Sequence, residues 1–336
     1  MSIAVPKIYH RRSLVPTLLG LILGLVTVIG VSLSFGAVPL NMEQIWQALL
    51  GQGDQINQTI IWDLRLPRTL AAMLVGAALG MAGTLLQGML RNDLADPFVL
   101  GVSAGAGLIA IALITFGVFL AWVPAAAWIG AMATCILVYS LGRVGSSLAT
   151  ERLILGGVAV SSLFGSIQAI LLLLAEDGRV QTALNWLVGS LNGRGWAEVN
   201  AVAPYLIVTL GIGICLGRSL NILNLSDETA VGLGISLGWS RLLVGSVASM
   251  LAASAVSMAG LIGFVGLIVP HGVRLLVATD YRICLPVAAV AGAIVLTFAD
   301  LLGRLGTVEL PVGAITALFG SPVFIWLLYH RKSGRV

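Results

Sequence analysis

The chain has 336 residues, 58% hydrophobic and only 10% charged, with a mean hydropathy of +1.04 and a net charge of +4. A soluble domain carries about 25% charged residues, so this chain cannot cover a water-facing surface and must be solvated by lipid. Apolar runs of about 20 residues mark helical membrane spans. The fold class is therefore read as all-α and polytopic, with 1–336 forming one transmembrane domain and no segment left over for a soluble one.

In chain order the apolar runs fall at 14–36, 65–89, 97–119, 124–141, 153–175, 200–217, 242–260, 261–279, 283–303 and 309–329. Only "MAGLIGFVG" separates the pair that meets near Gly260. The first run follows Lys7, Arg11 and Arg12, and "RRSL" faintly resembles a twin-arginine start. Its apolar stretch exceeds the 7–15 residues of a signal core and more spans follow, so it reads as a retained helix. Ten spans place both termini on one side, taken as the cytoplasm. Thirteen of the 18 Lys and Arg then lie inside and five outside, namely Arg65, Arg68, Arg179, Arg194 and Arg304. That asymmetry follows the positive-inside rule.

The outside arginines need a reason. In "IIWDLRLPRTLAAMLVG", Arg65 and Arg68 are three apart, which puts them on one face of a regular helix, and Pro67 suits a first turn. They either anchor the helix end, snorkelling or pairing with Asp63 and Asp300, or form a basic docking spot for an acidic partner. Also outside, 176–196 is semi-apolar and too short to cross twice. It reads as a re-entrant or interfacial helix, which lipid tolerates only where protein or a water-filled cavity shields the backbone.

Inside, 218–241 is long enough for a helix and a turn. Ser226 caps a short helix with Asp227 and Glu228 in its first turn and Gly232 and Gly234 at its end. Such a helix suits a groove on another protein, or is a well-capped connector. "RNDLADP" and "GRVGSSLATER" are two further compact inside segments. Among the 41 glycines, the pairs Gly20/Gly24, Gly76/Gly80, Gly213/Gly217 and Gly234/Gly238 have the small-xxx-small spacing that lets helices approach closely in lipid. Cys135, Cys215 and Cys284 read as small core residues, without a disulfide or metal role.

The spans hold almost no ionisable groups away from their ends, which argues against an ion-coupled carrier. No phosphate-binding loop surrounds either lysine, so nucleotide energy must come from another chain. "GVSAG" at 101–105 matches G-x-S-x-G, and His271 lies near the same inside face, which raises an intramembrane serine hydrolase at Ser103. A nucleophile elbow needs a soluble strand-turn-helix, whereas Ser103 opens an apolar helix, and His271 after Pro270 suits a kinked helix end.

Five segments in order, "LRLPRTLAAMLVGAALGMAG", "LQGMLRNDLADPFVLGVSAGAG", "LSDETAVGLG", "GLIGFVGLIVPHGVRLL" and "ELPVGAITALFGSPVFIWLL", together resemble one family, the FecCD-like permeases of ATP-driven importers for iron-siderophore, haem and cobalamin. The resemblance implies a bacterial inner-membrane permease of the type II importer architecture, paired with an identical or closely related subunit. Two ATP-binding-cassette ATPases would sit inside and a periplasmic binding protein outside, with no nucleic acid involved. This chain would carry no cofactor; ATP and Mg would belong to the ATPase, and the favoured cargo is a ferric siderophore, with haem or cobalamin as alternatives.

By the same resemblance, Arg65, Arg68 and Arg304 would meet acidic residues of the binding protein. Residues 220–241 would be the coupling segment, with Leu225, Ser226, Asp227, Glu228, Thr229, Gly232, Leu233 and Gly234 at the ATPase. Asn92, Leu94, Thr150 and Glu151 would form the cytoplasmic gate. The chain departs from the family's usual pattern at Asp93, where proline is common, at Glu151, at Gly272 in place of a bulky apolar residue, and at Ser226 in place of glycine.

Overall fold

The computed structural model describes residues 14–330 apart from 145, 146, 149, 278 and 307. The basic residues Lys7, Arg11, Arg12, Arg331, Lys332 and Arg335 lie outside the described residues. The helices are α1 Leu14–Ser34, α2 Met42–Leu49, α3 Gln55–Thr59, α4 Leu66–Leu90, α5 Val102–Phe116, α6 Val123–Gly142, α7 Thr150–Leu173 and α8 Asp177–Val188. They continue with α9 Trp196–Cys215, α10 Gly217–Leu223, α11 Asp227–Gly232, α12 Leu237–Ala259, α13 Val265–Val277, α14 Tyr281–Arg304 and α15 Val312–His330. A two-residue antiparallel rung, Arg143–Val144 against Ser147–Leu148, joins α6 to α7.

Each of the ten expected runs forms a helix: α1, α4, α5, α6, α7, α9 and α12 to α15. Seven helical stretches are long and apolar enough to cross a membrane, and 102–116, 265–277 and 312–326 are shorter. The 13 residues of α13 cover only about 20 Å, so its span depends on irregular backbone at 260–264. Gly260 has φ +73 there, and Phe264 φ +69. Leu261 N–H and Ala259 C=O bond Trp186 C=O and Ser190 N–H of the α8 end at 3.5 and 2.8 Å, so protein shields the turn as a bilayer requires.

The centre of the bundle is α4, buried along nearly its whole length and packed chiefly on α14 and α12. Small residues make this possible. A Cβ on Gly76 would overlap Gly292 C=O, and one on Gly83 would overlap Gly266 C=O. Helix backbones in direct contact gain dispersion energy that lipid cannot match. Elsewhere Leu19, Leu23, Ile129, Ile136, Leu155, Leu173 and Val208 are exposed, an apolar surface that only a bilayer can solvate. Cys135 and Cys284 are buried as expected, but Cys215 is exposed, because it lies at the outward-turned end of α9.

Before α4 the chain makes structure that the apolar runs do not announce. Asn41 and Gln44 form a reciprocal capping box at 2.8 and 2.9 Å that starts α2. Residues 60–65 form a π turn, in which Leu66 N–H reaches back to Ile61 C=O. In that register Trp62 C=O would next await the N–H of residue 67, which is proline and has none. Trp196 Nε1 supplies the missing donor at 2.7 Å.

Candidate functional site

The helix ends gather the charged side chains into two clusters at opposite ends of the bundle. At the first end α1, α4 and α14 converge. Arg68 grips Asp300 with Nε at 3.0 Å and Nη2 at 2.8 Å, and pairs through Nη1 with Glu309. Arg304, one turn beyond Asp300, reaches Asp300 Oδ2 at 3.1 Å and Ser32 Oγ at 2.7 Å. Ser32 in turn bonds Thr69 at 2.9 Å. Arg65 donates to Leu33 C=O at 2.5 Å and Ser34 C=O at 3.0 Å, at the C-terminus of α1, and to Val38 C=O in the loop that follows.

The three arginines expected to act together are therefore assembled, though differently from the sequence premise. Arg65 belongs to the π turn rather than to a straight helix, so it points to α1 while Arg68 points to α14. Their charges are engaged within the chain. Asp300 is 1% exposed and Arg65 6%, and such burial is tolerable only because every carboxylate oxygen of Asp300 is met by a guanidinium. Three guanidiniums face two carboxylates, which leaves one positive charge in excess. Asp63 is exposed and joins none of these pairs. Glu309 escaped the sequence reading, although its place five residues after Arg304 at a helix junction was the available signal.

At the opposite end, α11 forms where Ser226 was expected to cap it. Ser226 Oγ accepts from Thr229 N–H at 3.2 Å and meets Thr229 Oγ1 at 2.6 Å. Ser226, Glu228, Thr229, Gly232 and Gly234 are exposed, as are the apolar Leu225, Val231, Leu233 and Trp239. Asp227 instead turns inward. Arg91 Nη2 reaches it at 2.5 Å and Arg241 Nη2 at 2.9 Å. Burial pushes its carboxyl up, but bonds and charge from the two arginines outweigh this and hold it below the usual range. Arg91 also donates to Leu223 C=O at 2.8 and 2.9 Å.

Arg91 is the left-handed end residue of α4, φ +50, and opens the loop expected to form a gate. There Asn92 Oδ1 accepts from Leu94 N–H at 3.0 Å, an Asx turn that projects Leu94 outward. Asp93 pairs with Arg274 of α13 at 3.2 Å, and Arg274 holds Gln87 Oε1 at 2.7 Å. Gln87 Nε2 bonds Ala95 C=O and Leu267 C=O, each at 3.2 Å. Asp96 caps the short turn at 97–100 by accepting from Phe98 N–H at 2.8 Å, and burial raises its carboxyl to about 6 despite that bond. The side chain of Thr150 lies outside the described residues. Glu151 is exposed, and none of the described contacts joins it to the Asn92 loop.

The glycines of the G-x-S-x-G match have packing roles. Gly101 has φ +73 with Thr134 Cγ2 2.9 Å from the place of a Cβ, and Gly105 meets Gly130 and Thr134 directly. Ser103 lies in the first turn of α5, with no strand before it. No group of three or more His, Cys, Asp or Glu gathers as a metal site among the described residues.

The described residues form a helical bundle in which the G-x-S-x-G matches at 101–105 and 234–238 both sit at helix starts rather than at a strand-turn-helix elbow, and comparison with known proteins gives the class. The model of the FecCD transport family matches residues 22–330, and the chain belongs to that family. It is 42% identical over 277 residues to the cobalamin import system permease protein BtuC of Halobacterium salinarum, covering 82% of this chain and 74% of that one. It is 37% identical over 316 residues to the Fe(3+)-citrate import system permease protein YfmD of Bacillus subtilis, covering 91% of each. A solved structure described as an inward-facing candidate metal-chelate type ABC transporter superposes with TM-score 0.84 at 31% identity, over 94% of this chain and 99% of that one. The chain is accordingly a permease of the FecCD transport family, with apolar helices suited to an integral membrane protein.

Proposed function

We propose that this permease carries a ferric siderophore across a bacterial inner membrane, as one half of a permease dimer served by two ATPase chains inside and a binding protein outside. Haem and cobalamin are the alternative cargoes. The observation that carries the reading is the double link of Asp227, whose helix offers exposed apolar and acidic residues at the membrane surface while Arg91 ties it to the Asn92 loop. Movement imposed on α11 by an ATPase would pass through Arg91 to the gate. Among the described residues, one guanidinium nitrogen of Arg274 is buried without a hydrogen-bond partner. That costs about 1–3 kcal/mol, which a rearranged gate loop would recover.

At the outer end, the excess positive charge of the Arg65, Arg68 and Arg304 cluster suits acidic residues of a binding protein, and Glu309 occupies Arg68 until a partner carboxylate replaces it. Rim charges of this kind set orientation and encounter rate more than affinity. One face of α7 exposes Ser162, Gly165, Ser166 and Ala169, small and weakly polar, which suits a partner-facing or path-facing wall better than lipid. A path without fixed charges releases a bulky chelate readily.

The test is uptake of labelled ferric siderophores, haem and cobalamin in cells with and without this chain. Loss of siderophore iron uptake alone supports the proposed cargo. Loss of cobalamin uptake alone moves the assignment to cobalamin, and loss of haem uptake alone moves it to haem.

A further inference from the structure

Between α6 and α12, near the end of the bundle that carries α11, runs a groove of about 250 Å³. On α6 it is lined by Met132, Cys135, Ile136, Tyr139, Ser140 and Arg143, and on α12 by Leu242, Gly245, Ser246 and Ser249. The α6 residues recur every three or four positions and so form one stripe. From Met132 to Arg143 that stripe is about 16 Å long. Its deep part is apolar or internally satisfied, since Cys135 and Ser249 bond each other at 2.8 Å. Its mouth is polar and basic. Arg143 is exposed at the end of α6, and it and Arg241 both lie near enough to Tyr139 to act on it electrostatically. Arg241 is already engaged by Asp227, whereas Arg143 makes no ion pair with any described acid.

An apolar slot capped by a cation, a phenol and hydroxyls matches the two halves of one ligand. Lipid acyl chain fits the slot, and a phosphate fits the mouth, where a guanidinium offers paired donors. We propose that this groove binds an anionic phospholipid, its phosphate on Arg143 and Tyr139 and an acyl chain along Met132, Ile136 and Leu242. A basic pocket between spanning helices is a general recipe for such headgroups. The leaflet, cytoplasmic by the orientation proposed above, rests on that reading; the binding itself does not.

The test is native mass spectrometry of the purified full chain, delipidated in detergent and titrated with dioleoyl phosphatidylglycerol, dioleoyl phosphatidylcholine or inorganic phosphate. Phosphatidylglycerol should bind more tightly than phosphatidylcholine. Arg143→Gln should weaken it about fivefold, the worth of one interfacial cation. Arg143→Lys should restore it, and Arg282→Gln, an exposed cation at the same end but outside the groove, should leave it unchanged. Equal phosphatidylglycerol binding by wild type and Arg143→Gln overturns the proposal. So does an equal loss in Arg282→Gln, which would mean diffuse surface charge, and so does displacement of the lipid by inorganic phosphate, which would mean a soluble anion site. A chain that binds the lipid as described yet carries no chelate would refute the transport reading and leave this one standing.

Discussion

Asp227→Asn separates two roles that the acidic start of α11 combines. Asp227 is about half exposed and meets Arg91 at 2.5 Å and Arg241 at 2.9 Å. Pairs this accessible to water are worth about 0.2–1 kcal/mol each, so the amide should cost the fold no more than about 2 kcal/mol and the protein should still insert and purify with its ATPase. Only the Arg91 pair joins α11 to the gate loop, and losing its roughly 0.2–1 kcal/mol shifts a two-state equilibrium by about 1.4–5-fold. Uptake per ATP hydrolysed should therefore fall measurably, by up to about fivefold, while ATP hydrolysis continues. Glu228→Lys should do the opposite, since Glu228 is exposed and free to meet a partner: ATPase co-purification should drop, with the internal link intact. The assay is paired ATPase activity and chelate uptake in proteoliposomes. Normal uptake per ATP in Asp227→Asn would refute the relay through Arg91.

Gly83→Ala and Gly20→Ala place the same methyl in two spanning helices. At Gly83 it collides with Gly266 C=O, and overpacking of this kind costs about 1–3 kcal/mol; at Gly20 nothing lies within 4 Å. Thermal unfolding in detergent should therefore fall for the first and hold for the second. Asp96 has its folded carboxyl raised to about 6, so the neutral form's contribution is complete below about pH 4 and is lost as pH rises through about 6. Asp96→Asn should accordingly match wild type near pH 4 and exceed it at pH 7, by between about 1 and 3 kcal/mol, the lower figure applying to the extent that water reaches this half-buried group; equal pH profiles would contradict that assignment. Glu309→Gln frees one donor face of Arg68 and should speed docking of the binding protein several-fold at low salt, less at high salt, whereas Arg68→Glu should slow it; surface plasmon resonance at two ionic strengths decides.

The spans were legible because lipid imposes one strong rule, a long apolar helix, and even the turn after Met258 declared itself in "MAGLIGFVG". The α11 cap was legible as local chemistry, Ser226 three residues before Thr229. Small-xxx-small spacing was a weaker guide. Gly76/Gly80 pack directly on α14 and a Cβ on Gly217 would lie 2.9 Å from the Arg282 backbone, but a Cβ on Gly20 or Gly234 would meet nothing within 4 Å, because the spacing does not say which face meets a neighbour. The fates of Arg65 and Asp227 were not legible. Both depend on partners far away in sequence: the Leu33 and Val38 carbonyls 32 and 27 residues before Arg65, and Arg91 136 residues before Asp227. The π turn that redirects Arg65 has its Trp62 C=O met by Trp196, 134 residues further on. The capping box at Asn41 was readable in the spacing of Asn41 and Gln44, between the first two apolar runs.

The most direct measurement is accumulation of radioiron-labelled siderophore in proteoliposomes that contain this chain and its ATPase, with binding protein added on the outer face. Accumulation that requires ATP and persists when a proton uncoupler is added is the predicted result. Accumulation without ATP, or abolished by the uncoupler while ATP is maintained, would contradict the account and point to an ion-coupled carrier.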